Sequence, residues 1–244
     1  MNVVLLEPHE LDAAGEITLA DARGAHILNV LRAAPGRPVR VGLLDGPFGI
    51  GTVTSAGDRT VTLRCVFDTG TPPRPRVDIL LALPRPKVLN RLWAQLAAIG
   101  VGQIILTNAE RVERPYFDTH VIDEAHYRPL LIEGLQQARD TRLPRISIHR
   151  QFRVLIEDQL DGLFADGIRV VADAGASGPI PSALRPSDAR VLLAVGPEGG
   201  WNAFELDLLQ AHGFTPVSMG PRTLRSDTAC IALLTLAHAA MNGA

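Results

Sequence analysis

The chain has 244 residues, 24 Lys and Arg against 26 Asp and Glu, a net charge of −2, and 46% hydrophobic residues. That much apolar material builds one or two domains with a real core, and it excludes disordered, collagen-like and coiled-coil chains. No apolar run approaches the ~18–20 residues of a membrane span. The acidic start MNVVLLEPHELD does not resemble a signal peptide, so a cytoplasmic protein with no membrane partner is expected. Cys65 and Cys230 stand far apart in apolar sequence and predict two buried free thiols.

The first 70 residues read as all-β with one helix. Val3–Leu6 and Glu16–Leu19 are short strands. Ala22–Ala33 has helical spacing and is stopped by Pro35-Gly36. Strands follow at Val39–Leu44, Gly49–Thr54 and Thr60–Phe67, with turns at Asp45-Gly46-Pro47 and Ser55–Arg59. Short strands at this spacing predict a small barrel or sandwich. Thr69–Arg76, with three prolines and a glycine, predicts the linker between a domain at 1–70 and one at 71–244.

From Val77 onward strands and helices alternate. Strands are expected at Val77–Leu83, Gln103–Thr107, Arg145–His149 and Arg169–Ala172. Helices are expected at Lys87–Ile99, closed by Gly100, then at Asp123–Arg139 and Val154–Phe164. This alternation predicts a largely parallel α/β sheet, and hence an α/β chain that is α+β overall. Asp173–Gly178 is a loop after an apolar strand.

Residues 190–235 concentrate the chemistry. Val191–Val195 reads as a strand buried on both faces. Gly196-Pro197-Glu198-Gly199-Gly200 is a turn too rich in glycine for an element interior. Asn202–His212 is an amphipathic helix with Asn202 and Glu205 spaced as a capping box, Trp201 and Leu206 spaced as a hydrophobic staple, and Gly213 as its stop. A strand at Pro216–Met219 leads into GPRTLRSDTA and a last helix over Thr228–Met241. Ligands in parallel sheets sit at the carboxyl ends of strands, where both loops fall. The last helix is apolar nearly all round, which predicts cover on more than one side.

The arginines cluster: Arg23, Arg32, Arg37, Arg40, Arg59 and Arg64 in the first domain, then Arg139, Arg142, Arg145, Arg150 and Arg153. Such clusters on a near-neutral chain suit a phosphate-bearing partner, as they suit a solvated surface. Motifs for other chemistries are missing. The sequence has no GxxxxGK[ST], no GxGxxG after a strand, no GxSxG and no paired spacing among its seven histidines, so no metal site is expected.

GPEGGW followed by MGPRTLRSDTA resembles the signature of the RsmE family, SPOUT-superfamily methyltransferases acting on N3 of a uridine in 16S ribosomal RNA. The likeness spans nearly the whole chain and is specific mainly over 195–229. Met219, Thr223 and Ser226-Asp227 depart from the family's Leu, aliphatic residue and Thr-Glu. Gln95 and Ala98 stand where the family carries Lys and Glu. HILNVLRAAPGRPVRVGLLDG is similar to the family's N-terminal PUA-like barrel.

The resemblance implies a PUA-like RNA-binding barrel, a SPOUT α/β domain with a trefoil knot, S-adenosyl-L-methionine as cofactor, the 16S rRNA of the 30S subunit as partner, and a homodimer. It implies cofactor contacts at Ala172, Val195, Gly196, Glu198, Gly199, Gly200, Met219, Gly220, Thr223, Leu224 and Thr228, and RNA contacts at Arg32, Arg37, Arg139 and Arg142. Removing the uracil N3 proton leaves negative charge on the flanking carbonyl oxygens, which a positioned cation stabilises. Arg225 is the first candidate and Arg222 the second, with Asp227 to orient Arg225, to act as base, or to cap the last helix. A ribose 2′-O or tRNA methyltransferase of the same superfamily, or an RNA-binding protein that has lost catalysis, are the alternatives.

Overall fold

The structure, a computed structural model, describes residues 2–176, 178–184, 189–220, 222 and 224–242. The chain divides into two compact units: Met1–Arg74 with Leu131–Leu143, and Pro75–Leu130 with Pro144–Ala244.

The first unit is built on a five-stranded half-barrel sheet. It contains β1 (Val4–Leu6), β2 (Glu16–Leu19), β3 (Pro38–Leu43), β4 (Phe48–Ala56) and β5 (Val61–Phe67), in the order β1-β3-β4-β5-β2. Only the β1–β3 pair is parallel. Alternation along β4 and β5 sends Val53, Val61, Leu63 and Cys65 to a core shared with Ile27 of α1 (Ala22–Asn29). α1 ends four residues before the expected Ala33. Val30 is its C-cap, and Arg32 adopts a left-handed φ of 49° that no helix continues.

The expected boundaries of 1–70 and 71–244 miss one feature. Leu131–Leu143 lies with the first unit. Thr141 explains the attachment: its Oγ1 donates to Gly46 O at 2.7 Å, and its carbonyl accepts from Asp45 N at 2.7 Å. Asn2 N also donates to Gln136 O at 3.1 Å. None of these partners is near in sequence, so local pattern does not reveal them.

The second unit carries a six-stranded, all-parallel sheet. Its strands are β6 (Val77–Ala82), β7 (Val101–Thr107), β8 (Arg145–His149), β9 (Ile168–Ala172), β10 (Val191–Val195) and β11 (Phe214–Val217), in the order β11-β9-β10-β6-β7-β8. β6, β7 and β10 are buried along their whole length, as apolar runs without alternation require. β11 starts directly after Gly213 rather than at Pro216, because Gly213, at φ 84°, turns the chain straight from helix to strand.

Helix α2 (Pro86–Ile99) turns Leu89, Leu92, Trp93 and Leu96 inward and stops at Gly100, whose φ is 93°. α3 is Glu124–Ala138. The expected helix at Val154–Phe164 begins at Phe152 and is not regular. α4 (Phe152–Val154) passes through a π turn (Leu155–Gln159) into α5 (Leu160–Leu163). After β9 and α6 (Ile180–Ala183), α7 (Ala203–Ala211) and α8 (Ser226–Asn242) complete the chain. α8 starts two residues earlier than expected. It buries one stripe, through Ala229, Cys230, Leu233, Leu234 and Ala237, while Leu236 stays 37% exposed.

Cys65 and Cys230 are free and buried, and burial pushes their thiols up to about 11 and about 12. Among the described residues no helix is long and apolar enough to cross a membrane, and no group of His, Cys, Asp and Glu is arranged to hold a metal ion.

Candidate functional site

Three neighbouring parallel strands, β9, β10 and β11, end at one edge of the second unit's sheet, and each releases a loop there. The loops after β9 and β11 are tied to one another by backbone. Asp173 N donates to Val217 O at 3.0 Å, and Ser218 N to Gly178 O at 2.8 Å. A cleft opens among them, with about 650 Å³ of non-protein space counting its mouth. That is the size and placement expected of a small-molecule site in a parallel sheet.

Most of the expected cofactor residues line this cleft. Ala172 closes β9, Val195 closes β10, Gly196, Glu198 and Gly200 belong to the glycine turn, and Met219, Gly220 and Leu224 come from the loop after β11. Arg222 lines it as well. Gly199 and Thr228 are exposed and are not among its lining residues. Thr223 lies outside the described residues. Gly200 and Gly220 have φ of 73° and 108°, values that strain any L side chain, so both turns need glycine.

The β10 loop is held from two sides. Asn202 Oδ1 accepts from Glu205 N at 2.8 Å, and Glu205 Oε2 accepts from Asn202 N at 2.8 Å, which completes the capping box. Glu205 Oε1 also accepts from Glu110 N at 2.7 Å, so this buried carboxylate fastens the segment after β7 to the start of α7. Arg111, from that same segment, donates from Nη1 to Gly199 O and, at 3.4 Å, to Gly200 O. A Cβ on Gly199 would stand 2.8 Å from Arg111 Cδ. A side chain at this position would make the arginine shift.

Arg225 and Asp227 do not line the first cleft. They line a second one, together with Arg85 at the N-cap of α2 and Lys87, Val88 and Arg91 from its first two turns. Glu198, Leu224 and Ser226 line both clefts and form their common wall. The expected link between Asp227 and Arg225 is not made. Asp227 Oδ2 accepts instead from Arg91 Nη2 at 3.1 Å. Asp227 sits inside the first turn of α8, where its Oδ1 accepts from Thr228 N at 2.9 Å. Glu198 pairs with Arg85 at 3.2 Å. Ser226 is 5% exposed, and its Oγ has no hydrogen-bond partner among the described residues.

Sequence pattern does not single out Arg85, Arg91 or Arg111. Arg91 lies 136 positions from Asp227, and Arg111 lies 88 from Gly199. No spacing rule spans such separations.

Of the expected RNA contacts, Arg32, Arg37 and Arg139 are exposed in the first unit and make no ion pair among the described residues. Arg142 is partly committed: its Nη1 donates to Asp45 O at 3.0 Å. Arg23 is held by Glu10 and Asp21, and Arg64 by Glu16, so these two serve the sheet.

A parallel sheet with glycine loops at its carboxyl edge, and a cationic cleft beside a cofactor-sized one, is the arrangement of an RNA methyltransferase domain. The sequence model of that family, the RNA methyltransferase domain, matches residues 71–238, and the chain belongs to it. Within the family it groups with ribosomal RNA small subunit methyltransferase E, or RsmE. The protein of that name from Treponema pallidum is 30% identical, over 98% of this chain and 92% of the relative. The one named ribosomal RNA small subunit methyltransferase E 1 from Borreliella burgdorferi is 26% identical over 95% of each.

Solved structures share the fold over the whole length. Ribosomal RNA small subunit methyltransferase E from Neisseria gonorrhoeae, bound to S-adenosyl methionine, superposes with a TM-score of 0.75 at 20% identity, covering 97% of this chain and 96% of that one. A protein from Legionella pneumophila, described as a methyltransferase with bound cofactor SAM, gives 0.77 at 22% identity, covering 98% and 97%.

Proposed function

We propose that this protein transfers a methyl group from S-adenosylmethionine to N3 of a uridine in 16S ribosomal RNA within the small subunit. The observation that carries the reading is the shared wall of Glu198, Leu224 and Ser226 between a glycine-looped cleft and a cationic one. A donor and an acceptor bound on either side meet across it, and methyl transfer is above all a matter of such positioning.

The residues present fit the cofactor. Gly196, Gly200 and Gly220 let backbone approach a ligand closely, while Val195, Met219 and Leu224 offer apolar walls. When bound, S-adenosylmethionine supplies an electrophilic methyl carbon: the uracil nitrogen's electron pair forms the new C–N bond, the C–S pair returns to sulfur, and the N3 proton is lost. Arg225 stabilises the negative charge that proton loss leaves on the uracil oxygens, and Arg222 contributes from the cofactor side. Asp227, anchored by Arg91, takes the proton directly or through water.

The half-barrel unit is read as the PUA-like RNA-binding module, contacting phosphates through Arg32, Arg37 and Arg139. The loops after β9, β10 and β11 are read as a trefoil knot, for which the family resemblance is the support. The partly exposed face of α8, with Leu236 and Ile231, supports a homodimer interface. A cytoplasmic location follows from the proposed ribosomal substrate.

The test is mass spectrometry of nucleosides from 30S subunits of a strain lacking the modification, incubated with the protein and S-adenosylmethionine. We expect 3-methyluridine in 16S rRNA. Product on a ribose hydroxyl, or on tRNA alone, would move the protein to another class of the superfamily.

A further inference from the structure

The second cleft holds about 1140 Å³ of non-protein space counting its mouth, more than the first. Four cations line it, Arg85, Lys87, Arg91 and Arg225, against two acids, Glu198 and Asp227. Both acids are already neutralised, by Arg85 at 3.2 Å and by Arg91 at 3.1 Å. Lys87 and Arg225 are left exposed, with no ion pair among the described residues. An anion entering the cleft therefore meets two uncommitted cations and no uncommitted carboxylate. Val88 and Leu224 add apolar surface of the kind a base rests on.

Ser226 supplies an independent sign of a ligand. A buried hydroxyl without a partner destabilises the fold, and Ser226 Oγ has none among the described residues, in a residue 5% exposed. It stands on the wall common to both clefts. A polar ligand atom arriving at that wall would satisfy it.

We propose that the second cleft is the pocket of the acceptor nucleotide, with Lys87 on a backbone phosphate beside the target base and the Ser226 hydroxyl hydrogen-bonded to an oxygen of that base. The proposal rests on the reading of the protein as an RNA methyltransferase and deepens it. Lys87 holds the nucleotide in ground state and transition state alike, so its share falls in KM. Ser226 acts at the reacting ring, so its share falls in kcat.

The experiment uses the full-length protein with unmethylated 30S subunits and radiolabelled S-adenosylmethionine, with S-adenosylhomocysteine affinity measured by calorimetry. For Lys87→Gln we expect KM for subunits to rise about tenfold and the salt slope of binding to fall by about 1, with turnover and S-adenosylhomocysteine affinity unchanged. For Ser226→Ala we expect turnover to fall about tenfold, the size of one hydrogen bond at the reacting group, with Ser226→Thr restoring it. A wild-type enzyme that methylates subunits beside a Lys87→Gln variant of unaltered KM and salt slope overturns the pocket and leaves the function standing. A Ser226→Ala variant that binds S-adenosylhomocysteine about tenfold more weakly would assign the hydroxyl to the cofactor and refute its role at the base. A wild-type protein that binds S-adenosylhomocysteine but methylates no RNA would overturn the functional reading and this pocket together.

Discussion

Arg91 on α2 and Asp227 in the first turn of α8 meet at 3.1 Å, joining positions 136 residues apart. The arginine is 54% exposed and the aspartate 23%. A pair so solvated adds at most about 1 kcal/mol to stability. Its value is in placement: it fixes the carboxylate on the wall of the cationic cleft.

Breaking the pair from either end should therefore cost rate rather than stability. Arg91→Gln and Asp227→Asn are each expected to lower turnover by at least about tenfold, and the double variant should be no slower than Asp227→Asn alone, because residues acting as a unit are not additive. Urea unfolding should move by no more than about 1 kcal/mol. Additive rate losses in the cycle would show that the two residues act separately.

Arg225→Ala is expected to reduce turnover about 10²–10³-fold, the scale for losing one preorganised charge-stabilising group. Calorimetric affinity for S-adenosylhomocysteine should be unaffected, since Arg225 does not line the first cleft. A variant with normal turnover would remove it from the chemistry.

Arg111→Ala should act in the opposite way. It frees the carbonyls of Gly199 and Gly200 and loosens a turn that the cofactor cleft depends on. Cofactor affinity is expected to drop about tenfold, equivalent to about 1.4 kcal/mol. Turnover at saturating S-adenosylmethionine should change little, as a comparison of KM and kcat would reveal.

Asp78 provides a pH signature. It is fully buried in β6, and burial pushes its carboxyl up to about 6 despite the paired Arg190 guanidinium. A carboxyl whose folded value is raised contributes stability that is complete below its unfolded value, near 4, and is lost as pH climbs through 6. The unfolding free energy of the wild type, measured against Asp78→Asn, should thus fall by about 2–3 kcal/mol between pH 4 and pH 7. A difference that stays constant over that window would mean that Asp78 ionises normally.

Arg32→Ala with Arg37→Ala should weaken binding to subunits more at low salt than at high, and lower the salt slope by about 2, one for each phosphate that is no longer neutralised. Filter binding across a salt series measures this. An unaltered slope would remove these residues from the RNA interface.

Much of the second unit could be read from residue pattern alone. The apolar runs of β6 and β10, the stop at Gly100 and the capping box of Asn202 and Glu205 are all local, and each is where the sequence puts it. The loops that line the first cleft were legible for the same reason: glycine and strand ends are short-range signals. What escaped was long-range. The partners Arg91 and Asp227, the clasp of Arg111 on Gly199 and the double duty of Glu205 are set by tertiary packing, which leaves no periodic trace. The π turn at Leu155–Gln159 escaped because an added residue in a helix alters hydrogen bonding without altering composition.

The attachment of Leu131–Leu143 to the first unit bears on how the chain matures. A nascent chain emerges from its N-terminus at roughly 5–20 residues per second. Asn2, Asp45 and Gly46 must then wait for Gln136 and Thr141, which emerge only after β6, α2 and β7 have been made. The half-barrel is thus the first part to be synthesised and yet is unfinished for seconds, its last piece delivered by a helix that starts in the other unit. Vectorial folding, one unit sealed before the next begins, is closed to this chain.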